Sequence, residues 1–175
     1  YARKIRSRSL KKYAVKKTDA PPALNDDWQS RPWSDADTLE VKHFHARSSD
    51  HRPRTQARLL HDGRSIYVHF HVDDRYVRSV CTEYQSSVCT DSCAEFFVRP
   101  KPDKGYFNFE INCGGTMLLH YTIPSNIAPS GDVERRPISA EEAEAVRIVH
   151  SMPRVVDPEI TEPVAWTIAY SVPVA

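Results

Sequence analysis

No run of apolar residues in this chain is long enough to span a bilayer, and no apolar signal segment opens it. A transmembrane anchor is therefore not expected. Cys81, Cys89, Cys93 and Cys113 contain no Cys-x-x-Cys pair, which argues against a structural zinc knuckle. There is no Gly-x-Ser-x-Gly elbow, no P-loop, no Gly-x-Gly-x-x-Gly and no His-Glu-x-x-His. The usual signatures of serine hydrolases, nucleotide binders and zinc peptidases are thus missing. Internal repeats and low-complexity tracts are missing too.

What remains is a 175-residue chain with 40% hydrophobic and 10% aromatic residues, enough for one globular domain with a core. The net charge of +1 hides an asymmetry. Arg3, Lys4, Arg6, Arg8, Lys11, Lys12, Lys16 and Lys17 crowd the first 17 residues with no acid among them. The rest of the chain is acidic. We divide it into a basic arm, residues 1–20, and a domain, residues 21–175. The arm has few aromatics and no nucleic-acid motif beside it, so no nucleic-acid partner is expected.

Successive side chains of a strand point to opposite faces. Residues 91–115, DSCAEFFVRPKPDKGYFNFEINCGG, hold two such alternating segments around a Pro/Lys/Gly turn. Phe107, Phe109, Ile111 and Cys113 share an apolar face; Tyr106, Asn108, Glu110 and Asn112 share a polar one. A rigid platform of amides, a carboxylate and a phenol suits a polyhydroxylated ligand. Cys93 and Cys113 fall on opposite faces, so a bond between them is disfavoured, whereas Cys81 and Cys89 flank a loop.

Other strands are expected at residues 14–16, 38–44, 55–61, 65–72, 116–122, 146–150 and 165–172. His61-Asp62-Gly63-Arg64 reads as a hairpin turn. Ser139 and Glu142 have capping-box spacing before a short helix. Residues 73–80, 124–137 and 153–163 read as connections. Many short strands with turn-rich joints predict an all-β fold, an antiparallel, jelly-roll-like β-sandwich with one short helix. Trp28 and Trp33, among Asp, Ser and Pro, either plug one end of the core or form a stacking surface for sugar rings.

Three further chemistries are open on residue types. Glu95 and Glu110 can be drawn as the carboxylate pair of a glycan-active enzyme. His69 and His71, paired with Met117 or Met152, are haem- or metal-ligand candidates. Asp26, Asp27, Asp35, Asp37, Asp73 and Asp74 supply the oxygen ligands calcium prefers, although turn-making is their usual role. No catalytic residue is assigned, and the identity of any metal is left open.

The 91–115 block, with RPW near residue 32 and the AWTIAYSVP segment near the end, resembles the family 9 carbohydrate-binding modules. The resemblance implies a β-sandwich that binds mono- or oligosaccharides without cleaving them, attached to or encoded with polysaccharide-degrading systems. It also implies an extracellular, periplasmic or cell-surface location, and calcium in some members. Family members hold sugar between two tryptophans, with hydrogen bonds from the Glu of the Asp-Ser-x-x-Glu strand. By this likeness Glu95 takes that role, and Glu110, Asn112 and Asn108 are the polar positions on the following strand. Glu110 stands where a basic residue is usual. The first clamp tryptophan is replaced here by Val88 or Cys89, leaving Tyr84, Tyr106 and Tyr67 as candidate stacking rings. The second is expected from a C-terminal part lying beyond this sequence.

Overall fold

A computed structural model of the chain describes residues 12–174. Arg3, Lys4, Arg6, Arg8 and Lys11 of the basic arm lie outside the described residues. Within them are twelve strands: β1 (Lys16–Lys17), β2 (Leu39–Glu40), β3 (Arg54–His61), β4 (Ser65–Asp74), β5 (Val77–Ser79), β6 (Cys93–Val98), β7 (Tyr106–Asn112), β8 (Met117–Ile123), β9 (Glu134–Pro137), β10 (Arg147–His150), β11 (Val156–Ile160) and β12 (Val164–Pro173). A single short helix, α1 (Ala140–Ala143), starts at Ser139, where the capping box forms.

The strands make a β-sandwich. One sheet runs β1-β3-β4-β12-β10, with β2 added on β3; the other runs β6-β7-β8-β9; β5 and β11 pair separately. All pairings are antiparallel except β1 with β3. The β3–β4 hairpin turns at Gly63, whose φ of +93° is a conformation glycine adopts at little cost. Asp62 closes this turn. Its Oδ1 accepts from the Arg64 and Ser65 amides, each at 2.8 Å, and its Oδ2 accepts from the Tyr67 hydroxyl at 2.7 Å. These donors favour the charged form and hold the carboxyl at a pKa of about 2.

Alternation explains the core. Val68, Phe70 and Val72 of β4, with Trp166, Ile168 and Tyr170 of β12, face Ala94, Phe109, Ile111, Met117 and Leu119 of the smaller sheet. Fully burying one such large side chain contributes roughly 1.5–3 kcal/mol. The opposite face of the large sheet is also covered. Trp28 and Trp33 pack their rings against His69 at 5.1 and 4.9 Å, and Trp33, Ala36, Leu60 and Tyr67 form a second small core. The tryptophans are therefore plugs and not a sugar platform. His69 is only 2% exposed between them, and this burial, aided by nearby His71 and Arg58, depresses its pKa to about 4.

Several expectations need correction. The strand predicted at 14–16 forms at Lys16–Lys17 on the edge of the large sheet, and Tyr13 and Val15 pack on the core. Only Leu39–Glu40 of the 38–44 stretch pairs. β5, β9 and β11 arise where connections were expected; in β11 the ladder shifts register around Pro158, a residue that cannot donate to it. The haem pairing fails on geometry: His69 and His71 lie on the outer face of β4, while Met117 lies in the core on the inner side and Met152 packs against that same core.

Candidate functional site

The β6–β7 register sets Glu95 directly opposite Glu110, Phe97 opposite Asn108, and Cys93 opposite Asn112. Across β8, Glu110 faces Leu118 and Asn108 faces His120. Alternation therefore places Glu95, Phe97, Tyr106, Asn108 and Glu110 together on the outer face of the smaller sheet. Asn108 donates from Nδ2 to Glu110 Oε1 at 2.6 Å. Its own Oδ1 is buried and has no partner among the described residues. Partial desolvation pushes the Glu95 carboxyl above its ordinary pKa, and the charge of Glu110 adds to the shift.

The surface is thus rich in acceptors: two carboxylates side by side and one orphan amide oxygen. A ligand that brings several hydroxyl donors relieves this imbalance. Beside the acceptors, the Phe97 and Tyr106 rings lie 5.9 Å apart, and Phe97 is 54% exposed. The Arg99 guanidinium sits 5.9 Å from the Tyr106 ring. An apolar ring surface next to fixed acceptors matches a sugar, which has apolar C–H faces and polar edges.

Phe97 was not among the residues singled out from sequence. The signal was available, because Phe97 shares the parity of Glu95. Grouping it with Phe96 as one apolar pair hides that only Phe96 points inward.

Three expected site residues are not on the open face. Asn112 is at 0% exposure. Its Nδ2 donates to the Cys81 carbonyl and to Asp91 Oδ2, both at 2.9 Å, and its Oδ1 accepts from the Thr116 amide at 2.8 Å. The loop preceding β6 folds over the end of β7 and uses every polar atom of this side chain. Tyr84 is also turned away. Its ring packs on the main core and its hydroxyl donates to the Ile138 carbonyl at 2.9 Å. Tyr67 lies beneath the far sheet, bound to Asp62. At the clamp position, Val88 is fully buried, while Cys89 is exposed, close enough for the charges of Glu110 and Glu95 to help raise its thiol pKa behind the larger effect of burial.

All four cysteines are free thiols. Among the described residues no three His, Cys, Asp or Glu side chains come together as a metal cage. Five of the six acidic residues considered for calcium have other partners within the protein. Asp27 accepts from the Gln29 amide, Asp35 pairs with Arg31, Asp37 with Lys16, Asp73 with Arg54 and Asp74 with His51. No helix among the described residues is long and apolar enough to cross a membrane.

Fold and face together describe a β-sandwich domain with a polar and aromatic surface on the outside of its smaller sheet. Comparison with known proteins places it more closely. The sequence profile of carbohydrate-binding family 9 matches residues 33–175, well over half the chain, and the chain belongs to that family. Among solved structures it is similar to a candidate carbohydrate-binding protein from Bacteroides uniformis, with 26% identity and a TM-score of 0.77, over 91% of this chain and 71% of that one. It also resembles a family 9 module from Caldicellulosiruptor kristjanssonii. The cellotriose complex of that module gives 8% identity and a TM-score of 0.56 over 92% of this chain and 67% of that one. Its glucose complex gives 8% and 0.54 over 92% and 69%. No curated protein sequence matches the chain.

Proposed function

We propose that the domain binds a saccharide on the outer face of β6 and β7 and does not cleave it. Glu95, Glu110 and the Asn108 carbonyl accept hydrogen bonds from sugar hydroxyls, and the Phe97–Tyr106 pair stacks on the sugar ring. The observation that carries this reading is the convergence of Glu95, Glu110 and the unpartnered Asn108 Oδ1 beside an exposed aromatic pair. Family membership supports the ligand class, and the cellotriose and glucose complexes of the fold relative supply the first ligands to try. A polysaccharide ligand goes with an extracellular or cell-surface location.

A non-catalytic role fits the carboxylates. Glycosidase carboxylates flank the scissile bond at a set separation. Glu95 and Glu110 are cross-strand neighbours on the same face of one sheet, so both reach a ligand from one side. Binding on such a surface is weak to moderate, because each sugar hydroxyl exchanges hydrogen bonds to water for hydrogen bonds to protein.

Calorimetric titration with glucose and cellotriose tests the reading. Saturable binding is expected, weakened at least fivefold by Glu95→Gln and by Asn108→Ala, with melting temperatures kept near the parent's. Equal affinity in parent and both variants would remove this face from the site.

A further inference from the structure

A second feature lies away from that face. Where β4 ends, an open cleft of about 810 Å³ lies between residues 50–53, residues 73–76 and the start of β12. It adjoins a recess of about 240 Å³ that shares His51, Pro53, Asp74 and Tyr76 and reaches Ser92 and Trp166. The larger cleft alone falls in the size range of small-ligand sites, roughly 300–1,000 Å³. None of Glu95, Asn108, Glu110, Phe97 or Tyr106 lines either cavity.

We propose that this cleft is a second saccharide site, with Tyr76 as its stacking ring and Asp50, Asp73 and Arg75 as its hydroxyl-binding groups. The proposal shares with the β6–β7 face the reading that the ligand is a saccharide, but it uses none of that face's residues.

Tyr76 sits at φ +62° and is 44% exposed. A tyrosine in the left-handed region is strained and persists only where the surroundings hold it. A ring held in this way that stays 44% exposed gains only part of the burial open to it. The surroundings are well fixed. Asp74 Oδ1 accepts from the Arg75 amide at 2.8 Å and lies 2.7 Å from His51 Nε2, while Asp74 Oδ2 accepts from Trp166 Nε1 at 3.0 Å. These contacts pin His51, and its ring meets Tyr76 edge-on at 5.6 Å. The Arg75 guanidinium lies 4.4 Å over the Tyr76 ring and takes no carboxylate partner among the described residues. Asp73, loosely paired with Arg54 at 3.4 Å, keeps 47% of its side chain in solvent.

This chemistry selects among ligand classes. Three carboxylates, Asp50, Asp73 and Asp74, outnumber the guanidiniums of Arg52 and Arg75 along the cleft, which disfavours an anion. Among the described residues no three potential metal ligands come together, so a metal ion is not the fit. Interleaved carboxylate acceptors and guanidinium donors beside an exposed ring suit neutral groups that both donate and accept, which are the hydroxyls of a neutral sugar.

The test uses the domain carrying both Glu95→Gln and Asn108→Ala, which disables the first face, and follows its backbone amides by NMR during titration. The probes are cellotriose, xylotriose and mannotriose. Saturable shifts are expected at residues 50–54 and 73–76 with at least one trisaccharide, weakened about tenfold by Tyr76→Ala and several-fold by Arg75→Ala. The Trp166 indole N–H resonance, reporting its bond to Asp74, should stay in place in each variant and so certify the fold. No shift at these residues with any of the three sugars, or shifts that survive both Tyr76→Ala and Arg75→Ala, would overturn the proposal. In the parent protein, shifts confined to 93–98 and 106–112 would uphold the face and reject the cleft; shifts confined to 50–54 and 73–76 would do the reverse.

Discussion

Replacing Asn112 by alanine removes three hydrogen bonds at once from the interior: two donated to Cys81 O and Asp91 Oδ2, and one accepted from the Thr116 amide. A neutral hydrogen bond contributes about 1 kcal/mol and one to a charged group about 1.5–3 kcal/mol. The Thr116 N–H and the Cys81 carbonyl also lose this partner where water has little access. The expected loss is therefore about 3–5 kcal/mol, a large share of the roughly 5–15 kcal/mol typical of a domain. Urea unfolding followed by tryptophan fluorescence measures it, with the slope unchanged if the native state stays compact. Asn112→Asp separates the bonds from the packing. It keeps the size and the acceptor for Thr116, but sets a second carboxylate where the amide lay 2.9 Å from Asp91 Oδ2. The new carboxyl has a raised folded-state pKa, so its destabilisation is full at neutral pH and shrinks as the pH falls toward the carboxylate range near 4. A loss below about 1 kcal/mol for Asn112→Ala, or a pH-independent cost for Asn112→Asp, would refute the role of Asn112 as the pin of the 80–92 loop.

Three other perturbations follow from local geometry. Asp62 has a folded pKa of about 2 against an ordinary 3.8, so its stabilisation is present above pH 3.8 and is lost as the pH falls through 2; Asp62→Asn should lower the melting temperature at pH 7, with the gap to the parent closing in acid. At Gly115, φ is +83° and an added Cβ would lie 2.3 Å from His150 Cδ2, in a ring tied to the Met152 carbonyl at 2.7 Å. Gly115→Ala should then cost roughly 1–3 kcal/mol in denaturant unfolding. The raised pKa of Glu95 means that its charged form is disfavoured on folding, so the penalty appears as the pH rises through that pKa. Glu95→Gln should stabilise the fold at pH 7 by roughly 0.2–1 kcal/mol and make no difference in acid, checked by melting curves at both ends.

The strands and the polar face of β7 were legible because alternation is a local signal. Tyr106, Asn108 and Glu110 fall where parity puts them. The fate of Asn112 was not legible, since its burial depends on a loop whose Cys81 lies 31 residues earlier. Tyr84 misled for a related reason: nothing nearby in sequence announces its hydroxyl's partner, Ile138, 54 residues on. β9 pairs only through β8, and β11 only through β5, so neither carries a strand signal of its own. The tryptophan plugs illustrate the limit on the other side of the sandwich, where loop residues cover the histidines of β4 and remove them from metal or haem chemistry.

The most direct measurement is the NMR titration of the isotope-labelled parent domain with cellotriose, assigned residue by residue. Binding at the β6–β7 face predicts saturable shifts at Glu95, Phe97, Asn108 and Glu110, with the rings of Phe97 and Tyr106 showing contacts to sugar protons. Saturable binding that leaves those four residues unmoved would contradict it.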